Sequence, residues 1–524
     1  MKNYIVLFTI LFFHVDQWMS AQQQQGDAWK YAETIQKSEL QEMLTVLASD
    51  SFEGRETGMK GQRMAASYLA NYYEQHGQKP CVEGSWFQTF PLKKQGYQGS
   101  IVTDGNKTYA FADDFYFFSD TDAEIQTSDF VFAGYGISDT RYSDYKKIDV
   151  KGKTVICFLG EPMNKKGMSV ITGDYQESDW SSDWGELKIQ AAAERGAKAI
   201  LFVNMNYDEY MLRIRYWLEQ APMRLDRGVH EEVSEDAAPI PYAFISPRLA
   251  NILLAPSGNT CEKLAQRIQS KKKTQTVQGN GSMVFHMKRS EEAFQSDNVL
   301  CYIEGSDPVL KNEIVVISAH YDHVGIIKGE VHNGADDDGS GTVSAMEIAE
   351  AFIQAKNEGK GPRRSILILH VSGEEKGLLG SEWYTYEPVF PLKNTVCDLN
   401  IDMIGRMDED HTDKNYVYLI GSDKLSKTLH KISEQCNTKY TRLKLDYTYN
   451  SEDDPNRFYY RSDHYNFAKN NIPVIFYFSG VHEDYHKPGD DAHKILYDKM
   501  ETIARLVFCT AWDVANRDQR LPLD

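Results

Sequence analysis

The sequence predicts an α/β protein: a three-layer, mainly parallel but mixed sheet with a second, smaller α/β domain inserted into it. Three observations predict this fold. Short apolar runs alternate with amphipathic helical stretches, which is typical of a parallel sheet covered on both faces. A second series of such runs fills the middle of the chain, before a polar, lysine-containing stretch. The 524 residues are also too many for one ordinary core.

The first part of the main domain, residues 28–128, begins with two predicted helices. Apolar residues recur at helical spacing from Leu40 to Leu47, and a second amphipathic helix is expected between Gly58 and Gly77. Gly77 is the expected C-terminal cap of that second helix.

The inserted domain is predicted at residues 129–256. Its expected strands and helices are 130–136, 150–158, 188–195, 199–203, 240–245 and 249–254. Residues 257–282, which include three consecutive lysines, are interpreted as a linker or return segment. The main domain then resumes at 283–524, with its clearest strands at Ile314–Ser318, Ile366–Val371, Leu399–Met403 and Val474–Phe478.

The N-terminus has the order of features of a secretory signal. Lys2 precedes the apolar run Ile5–Phe13, which is too short to span a bilayer, and small residues follow near Ala21. We therefore expect a signal peptide at 1–21 and export to the periplasm or the extracellular space; the alternative is a buried N-terminal helix. Because no other long apolar run follows, no stable membrane anchor is expected.

The net charge limits the classes of binding partner, and the cysteine spacing limits the kinds of disulfide or metal site. The chain has 57 basic and 76 acidic residues, a net charge of −19, so nucleic acid and anionic lipid would repel it. Its seven cysteines are widely spaced and include no CxxC pair, which argues against a disulfide framework or a thiolate metal site.

Polar residues cluster directly after the apolar strands of the main domain. In a parallel sheet these carboxyl ends meet at one edge, where active-site crevices lie. The residues that we expect to meet there are His320, Asp336, Glu374, Glu375, Asp402 and His486.

Imidazole and carboxylate donors together suit zinc or another first-row divalent ion. Five of these side chains suffice for two ions that share one carboxylate and one water. Glu374 adjoins Glu375, so one glutamate can bind metal while its neighbour moves a proton. The pattern thus favours a metal-dependent hydrolase.

Several motifs resemble metallopeptidase family 28, which includes bacterial leucyl aminopeptidases, glutamate carboxypeptidase II and glutaminyl cyclases. The resemblance covers nearly all of the chain after the signal, and residues 129–256 resemble the protease-associated domain found in larger members. The matching segments are Ala48–Gly58, His320–Gly325, Asn333–Gly341, Glu374–Glu375, Asp402–Gly405, Ser462–His464 and Tyr485–His486.

The resemblance implies a role for each site residue. Asp336 would bridge two zinc ions and precede a cis peptide bond to Asp337. The remaining roles that it implies are His320 and Asp402 at one ion, Glu375 and His486 at the other, Glu374 as general base, and Asp322 orienting His320.

Other polar residues near these motifs receive weaker roles. His464 is expected to face substrate, with its neighbour Asp463 also assigned to substrate binding. For His323, His332 and His482, pocket or surface roles are favoured over ligation.

The function that these features predict is a secreted di-zinc aminopeptidase acting on peptides through a hydroxide shared by the two ions. Manganese or cobalt would fit the same donors. A carboxypeptidase or dipeptidase is the main alternative, and it would need cationic groups such as Arg406, Arg457 or Arg461. A glutaminyl cyclase and a non-enzymatic, receptor-like relative are further alternatives. The sequence leaves side-chain preference and oligomeric state open.

Overall fold

The computed structural model describes residues 28–103, 107–118, 122–181, 185–220, 223–228, 238–271 and 276–524. The expected signal at 1–21 lies outside these residues and stays a prediction. Within the described ranges, no helix is both long and apolar enough to cross a membrane. All seven cysteines are free thiols, and all but the half-buried Cys81 are buried.

The strands, in chain order, are β1 (Phe87–Thr103), β2 (Lys107–Ala110), β3 (Phe115–Tyr116), β4 (Ala123–Ala133), β5 (Thr154–Phe158), β6 (Ala199–Val203), β7 (Met223–Leu225), β8 (Tyr242–Ile245), β9 (Thr276–Ile303), β10 (Ile314–His320), β11 (Gly325–Ile327), β12 (Glu330–His332), β13 (Ser365–Val371), β14 (Thr395–Ile401), β15 (Tyr416–Ile420), β16 (Lys444–Asp446) and β17 (Val474–Phe478).

The α-helices, in chain order, are α1 (Lys37–Leu47), α2 (Lys60–Gln75), α3 (Glu186–Ala193), α4 (Tyr207–Gln220), α5 (Pro247–Leu254), α6 (Cys261–Lys271), α7 (Gly341–Asn357), α8 (Leu379–Tyr386), α9 (Lys427–Cys436), α10 (His464–Ala468) and α11 (Tyr497–Asn516).

The chain forms two compact units, and their boundaries differ from the predicted ones. The main unit contains the described residues up to Leu92 together with Phe294–Asp524, and the inserted unit is Lys93–Ala293. The insert thus begins before residue 129, because β3 pairs with β8 of the insert and β2 pairs with the last residues of β1. It also ends after residue 256, because 257–282 is no linker: it forms α6 and the start of β9.

The sheet of the main unit is mixed, as predicted. Its strand order is β16-β15-β17-β14-β10-β13-β9. Strands β13, β10, β14 and β17 run parallel to one another. Strand β9 is antiparallel to β13 and β15 is antiparallel to β17, so the antiparallel pairs flank a parallel centre.

Helices cover both faces of this sheet. On β10, Val315 and Ile317 pack with apolar residues of α1, α7 and α11, whereas Val316 packs in a separate cluster with residues of α8 and α10. Successive side chains of a strand point to opposite faces. This alternation therefore produces three layers, and it explains why the parallel strands read as unbroken apolar runs.

The inserted unit has its own α/β architecture. Its strand order is β9-β4-β5-β6-β8-β3, in which β4, β5, β6 and β8 are parallel. Ile156 and Leu201 pack in one apolar cluster, and Val155 and Ile200 pack in another on the opposite face. The predicted helices and buried strands of this region are present, and the likeness to a protease-associated domain stays a prediction.

The N-terminal helices also follow the sequence pattern. Leu40, Leu44 and Leu47 are fully buried on one face of α1. Helix α2 ends at Gln75, and Gly77 follows with a φ of 76°, a left-handed conformation that glycine adopts without a steric cost.

Candidate metal centre

The candidate centre lies where the parallel strands of the main unit end. His320 is the last residue of β10, and Glu374 and Glu375 follow β13 by a few residues. Asp402 comes directly after β14, and His486 follows β17. Because these strands are parallel, their carboxyl ends lie at one edge of the sheet.

Asp337 occupies the middle of the cluster. Its Oδ1 lies 3.2 Å from His320 Nε2, and its Oδ2 lies 3.0 Å from His486 Nε2. The same His486 nitrogen lies 3.1 Å from Glu375 Oε2, and His320 Nε2 lies 3.7 Å from Asp402 Oδ1. One carboxylate thus faces two imidazoles that approach it from different strands.

The predicted bridging residue is therefore off by one position. Asp337, rather than Asp336, lies between His320 and His486. The cis peptide bond is likewise one residue later than predicted, between Asp337 and Asp338. The structure brings the other four predicted ligands together around Asp337.

Asp336 faces the opposite way and supports the loop. Its Oδ1 accepts a hydrogen bond from the amide of Gly405 at 2.6 Å, and its Oδ2 lies 3.3 Å from His482 Nε2. The Asp490 carboxylate accepts hydrogen bonds from the backbone amides of Asp336 and Asp337, at 3.0 and 3.1 Å. Asp336 is fully buried in these contacts, so it holds the segment that presents Asp337.

Asp338 has a structural role. Its carboxylate accepts hydrogen bonds from the backbone amides of His320, Gly341 and Met403, at 2.8–3.2 Å. A Cβ at Gly341 would lie 2.4 Å from Asp338 Oδ1, so only glycine allows this close approach. Asp338 therefore joins β10, the start of α7 and the loop after β14.

Asp322 lies next to His320, but its carboxylate does not orient that imidazole directly as predicted. His320 Nδ1 is 3.1 Å from the backbone carbonyl oxygen of Asp322 and 3.8 Å from its carboxylate. The Asp322 carboxylate instead accepts hydrogen bonds from the Thr57 hydroxyl at 2.7 Å and the Glu374 amide at 3.3 Å. It thereby fixes the loop that carries Glu374.

Asp402 is oriented by a buried chain of hydrogen bonds. The Ser462 hydroxyl donates to Asp402 Oδ2 at 2.7 Å, and the Asn400 side-chain amide donates to Ser462 Oγ at 2.8 Å. Carboxylates that bind metals are usually held by such partners. Asp402 therefore keeps Oδ1 directed toward His320.

His323 is a member of the cluster to which the sequence had assigned only a pocket or surface role. It is fully buried, and its Nδ1 lies 2.8 Å from Glu375 Oε1 and 3.8 Å from Asp337 Oδ2. Its position three residues after His320, beyond the end of the same strand, was the available signal. Together with Asp337 and Glu375 it forms one of two groups whose donor atoms lie within 4.8 Å of one another.

Arg55 places a fixed positive charge behind the cluster. It is completely buried and donates four hydrogen bonds, at 2.7–3.0 Å, to the carbonyl oxygens of Tyr321, Leu47, Asn333 and Gly334. Burial lowers the pKa of Arg55, and the nearby carboxylates oppose that effect. The guanidinium thus joins the loop after β10 to the loop that precedes Asp337.

The two adjacent glutamates have opposite pKa shifts. Burial, with the charges of Glu375 and Asp402, raises the pKa of Glu374 well above its usual range. Burial would also raise the pKa of Glu375, but the imidazoles of His486 and His323 outweigh it and hold that pKa at about 2. Neighbouring carboxyl groups of opposite tendency are typical of a site that divides ligation from proton transfer.

Several donor atoms of the cluster have no hydrogen-bond partner among themselves, although each could bind a divalent cation. Among the described residues, His320 Nε2, both ring nitrogens of His323, Asp337 Oδ2 and Glu375 Oε1 are buried without a hydrogen bond of acceptable geometry, although they lie close together. Buried polar atoms without partners are costly. Imidazole nitrogens and carboxylate oxygens that converge in this way suit zinc and similar ions.

A cavity opens beside the cluster. Asp337, Glu374 and Asp402 line one side of it, and Arg461 is at its wall. The rest of the lining is mainly apolar and aromatic: Met403, Phe458, Phe476, Phe478, Val481 and Tyr485.

The two residues predicted to bind substrate do not line this cavity. His464 is completely buried and stacks on Phe476 with ring centroids 4.8 Å apart. Asp463 is also fully buried, and its Oδ1 accepts a hydrogen bond from the Ser381 hydroxyl at 2.5 Å. Both lie at the start of α10, where they pack beneath the site.

The fold and the cluster define an α/β protein with an imidazole–carboxylate centre suited to divalent ions. Residues 298–511 match the family model described as Peptidase family M28. The matched residues include every metal-ligand candidate of the cluster.

Comparison with curated proteins gives partial matches. A probable leucine aminopeptidase of Arthroderma benhamiae is 29% identical over 219 residues, which cover 40% of this chain and 56% of that protein. Across the curated relatives, the matched segments span between 10% and 64% of the relative's length.

Two solved structures share the fold over most of the chain. One is an aminopeptidase from Aneurinibacillus sp. strain AM-1, with a TM-score of 0.55, 16% identity, and coverage of 95% of this chain and 98% of that one. The other is the zinc aminopeptidase BSAP from Bacillus subtilis, with a TM-score of 0.51, 16% identity, and coverage of 93% and 96%.

Proposed function

We propose that this protein is a two-zinc aminopeptidase that removes the N-terminal residue of peptides. The observation that carries the proposal is the position of Asp337, whose two carboxylate oxygens face His320 and His486 at 3.2 and 3.0 Å. A carboxylate placed between two sets of donors in this way can serve a pair of divalent ions. His320 and Asp402 would complete one ion site, and Glu375, His486 and His323 would surround the other.

The charge of the centre supports occupation by cations. Four carboxylates (Asp337, Glu374, Glu375 and Asp402) lie together in a buried region, where like charges repel strongly. Two divalent ions would offset that repulsion. When bound, such ions polarise a substrate carbonyl and lower the pKa of water. Zinc is favoured by the imidazole and carboxylate donors and is the metal named for the Bacillus subtilis structure.

Glu374 is the general base and acid of the proposed reaction. Its Oε2 lies 3.9 Å from His320 Nε2, and the carboxylate lines the cavity. The amide of Glu374 is held by Asp322, so the side chain is directed into the site. The carboxylate would accept a proton from the attacking water and return it to the leaving amine.

The exopeptidase direction rests on charge. A free α-ammonium group would lie against the carboxylates of Glu374 and Asp402, and the N-terminal side chain would enter the apolar cavity lined by Met403, Phe476 and Phe478. A blocked N-terminus would lose the first of these contacts. Glutaminyl cyclase activity fits less well, because the chain retains donors for two ions.

The proposal is tested with zinc-loaded protein, aminoacyl nitroanilides and short peptides that are free or acetylated at the N-terminus. Release of the first amino acid from free peptides only, at a zinc content near two per chain, is the expected result. No release across a broad panel of N-terminal residues would refute the aminopeptidase assignment. Cleavage of acetylated peptides alone would reverse its polarity.

A further inference from the structure

The geometry points to a carboxylate-binding subsite in the cavity beside the metal centre, formed by Arg461. This inference rests on the proposed function, since it names the substrate class of the same site. Of the side chains that line the cavity in the described part of the chain, Arg461 alone is cationic. It lines this cavity together with aromatic side chains and carboxylates of the cluster.

Arg461 is an exposed side chain whose contacts within the described ranges are with aromatic residues. Its guanidinium lies over the Phe458 ring, 5.0 Å from the centroid, and Nη2 donates to the Tyr485 hydroxyl at 3.3 Å. Phe458 and Tyr485 line the same cavity. Within the described ranges no acidic side chain forms an ion pair with Arg461, so several of its N–H groups remain for a ligand. A guanidinium that stacks on an aromatic ring can present its planar set of N–H donors to a planar anion such as a carboxylate.

The neighbouring arginines are different. Arg406 Nη2 lies 3.2 Å from Glu483 and 3.1 Å from Asp484, so its charge is already paired. Arg457 lies over the Tyr460 ring, 4.8 Å from the centroid, and does not line the cavity. Of the three arginines that could recognise a substrate carboxylate, only Arg461 reaches the site.

A cation at this position has a clear use. The cavity is bordered by Asp337, Glu374 and Asp402, and a carboxylate ligand would be repelled by them without a compensating charge. Two parts of a peptide could supply the carboxylate: an acidic side chain on the N-terminal residue, or the terminal carboxylate of a very short peptide. Both would make charge-assisted hydrogen bonds to the guanidinium.

The test compares Arg461→Gln and Arg461→Lys with Arg457→Gln as the matched control. Substrates are Leu-, Asp- and Glu-nitroanilides and dipeptides with a free or amidated C-terminus. In Arg461→Gln, we expect the ratio of kcat/KM for carboxylate-bearing to leucyl substrates to fall by about 10- to 100-fold, mainly through KM. Arg461→Lys should restore part of this ratio, and Arg457→Gln should leave it unchanged.

The substrate arms identify the source of the carboxylate. A changed ratio for the Asp- and Glu-nitroanilides assigns it to the side chain, and a changed ratio of free to amidated dipeptides assigns it to the C-terminus. An unchanged ratio in both arms, or equal losses for all substrates, would overturn the subsite while leaving the aminopeptidase proposal intact.

A binding measurement separates this inference from the proposed function. If no substrate is cleaved, calorimetry with glutarate and its neutral diamide on the zinc-loaded proteins still decides the matter. Glutarate binding that is at least tenfold weaker in Arg461→Gln than in Arg457→Gln supports the subsite. Equal affinities in the two variants refute it.

Discussion

Two consecutive aspartates give the sharpest test of the metal centre. Asp337→Asn and Asp336→Asn are nearly identical changes in volume at adjacent, buried positions. Asp337 faces His320 and His486, whereas Asp336 faces Gly405 and His482. The first substitution should therefore remove metal, and the second should mainly reduce stability.

The contacts set the expected size of each effect. In the proposed site each ion has Asp337 as one of three or four protein donors, and catalytic zinc ordinarily needs three. Asp337→Asn should thus lower the metal content below two ions per chain. Mutation of a residue that only supports a metal ligand typically lowers activity about 10- to 100-fold, and the loss of kcat/KM in Asp337→Asn should be larger. In Asp336→Asn the side-chain carbonyl still accepts from the Gly405 amide, while the charge opposite His482 is lost, at a cost of about 1–3 kcal/mol in the free energy of unfolding.

Metal content after dialysis, kcat/KM with a leucyl substrate and urea unfolding are measured on both variants and the wild type. The reasoning is refuted if Asp336→Asn loses its metal while Asp337→Asn retains two ions per chain. It is also refuted if Asp337→Asn keeps wild-type activity.

Three further changes have defined outcomes. Glu374→Gln should keep both zinc ions but lower kcat by about 10²- to 10⁴-fold, since a general base is lost and no ligand is; unchanged turnover would contradict its role. His323→Ala should weaken the binding of one of the two ions about 10- to 100-fold in a competitive chelator titration. If both ions bind to this variant as tightly as to the wild type, His323 does not belong to the metal centre. In the inserted unit, burial lowers the pKa of Lys188 from its ordinary 10.5 to about 8. The Lys188 ammonium group therefore binds its proton more tightly in the unfolded chain than in the folded one. As pH rises from about 8 to 10.5, the contribution of Lys188 to the free energy of unfolding increases by up to about 3 kcal/mol. Urea unfolding of Lys188→Met should show a smaller rise over this interval, and an equal rise in both proteins would contradict the shift.

The strand ends could be predicted from the sequence because periodicity and chemistry agree there. Unbroken apolar runs such as Ile314–Ser318 predicted buried parallel strands, and the polar residues that follow them meet at one edge. This placed His320, Glu375, Asp402 and His486 together without any knowledge of loop geometry.

The register within the aspartate run could not be predicted in the same way. Asp336, Asp337 and Asp338 are chemically identical, and their roles differ in which backbone amides and imidazoles surround each carboxylate. Asp490 lies 154 residues after Asp336, and its carboxylate accepts hydrogen bonds from the backbone amides of Asp336 and Asp337. His464 and Asp463 were misjudged for a related reason: polar residues next to a functional motif can pack beneath a site rather than face it.

The domain boundaries were missed because composition does not reveal strand partners. Residues 257–282 are polar, and their composition predicts a linker. In the structure they form a helix, in which Cys261 and Leu264 are buried, and the start of a strand. Likewise, β2 and β3 gave no signal that they belong with the strands after residue 129.

The place where the insert joins the main unit has a consequence for how such proteins diversify. Strands β1 and β9 pair, and within the main unit the Thr89 hydroxyl donates to Asp297 Oδ1 at 2.6 Å, so the chain departs and returns through neighbouring positions. His320, Glu375, Asp402 and His486 all belong to the main unit. Because its two ends lie close together, such an inserted domain can be lengthened, exchanged or deleted during evolution without a change in the loops that carry the metal ligands.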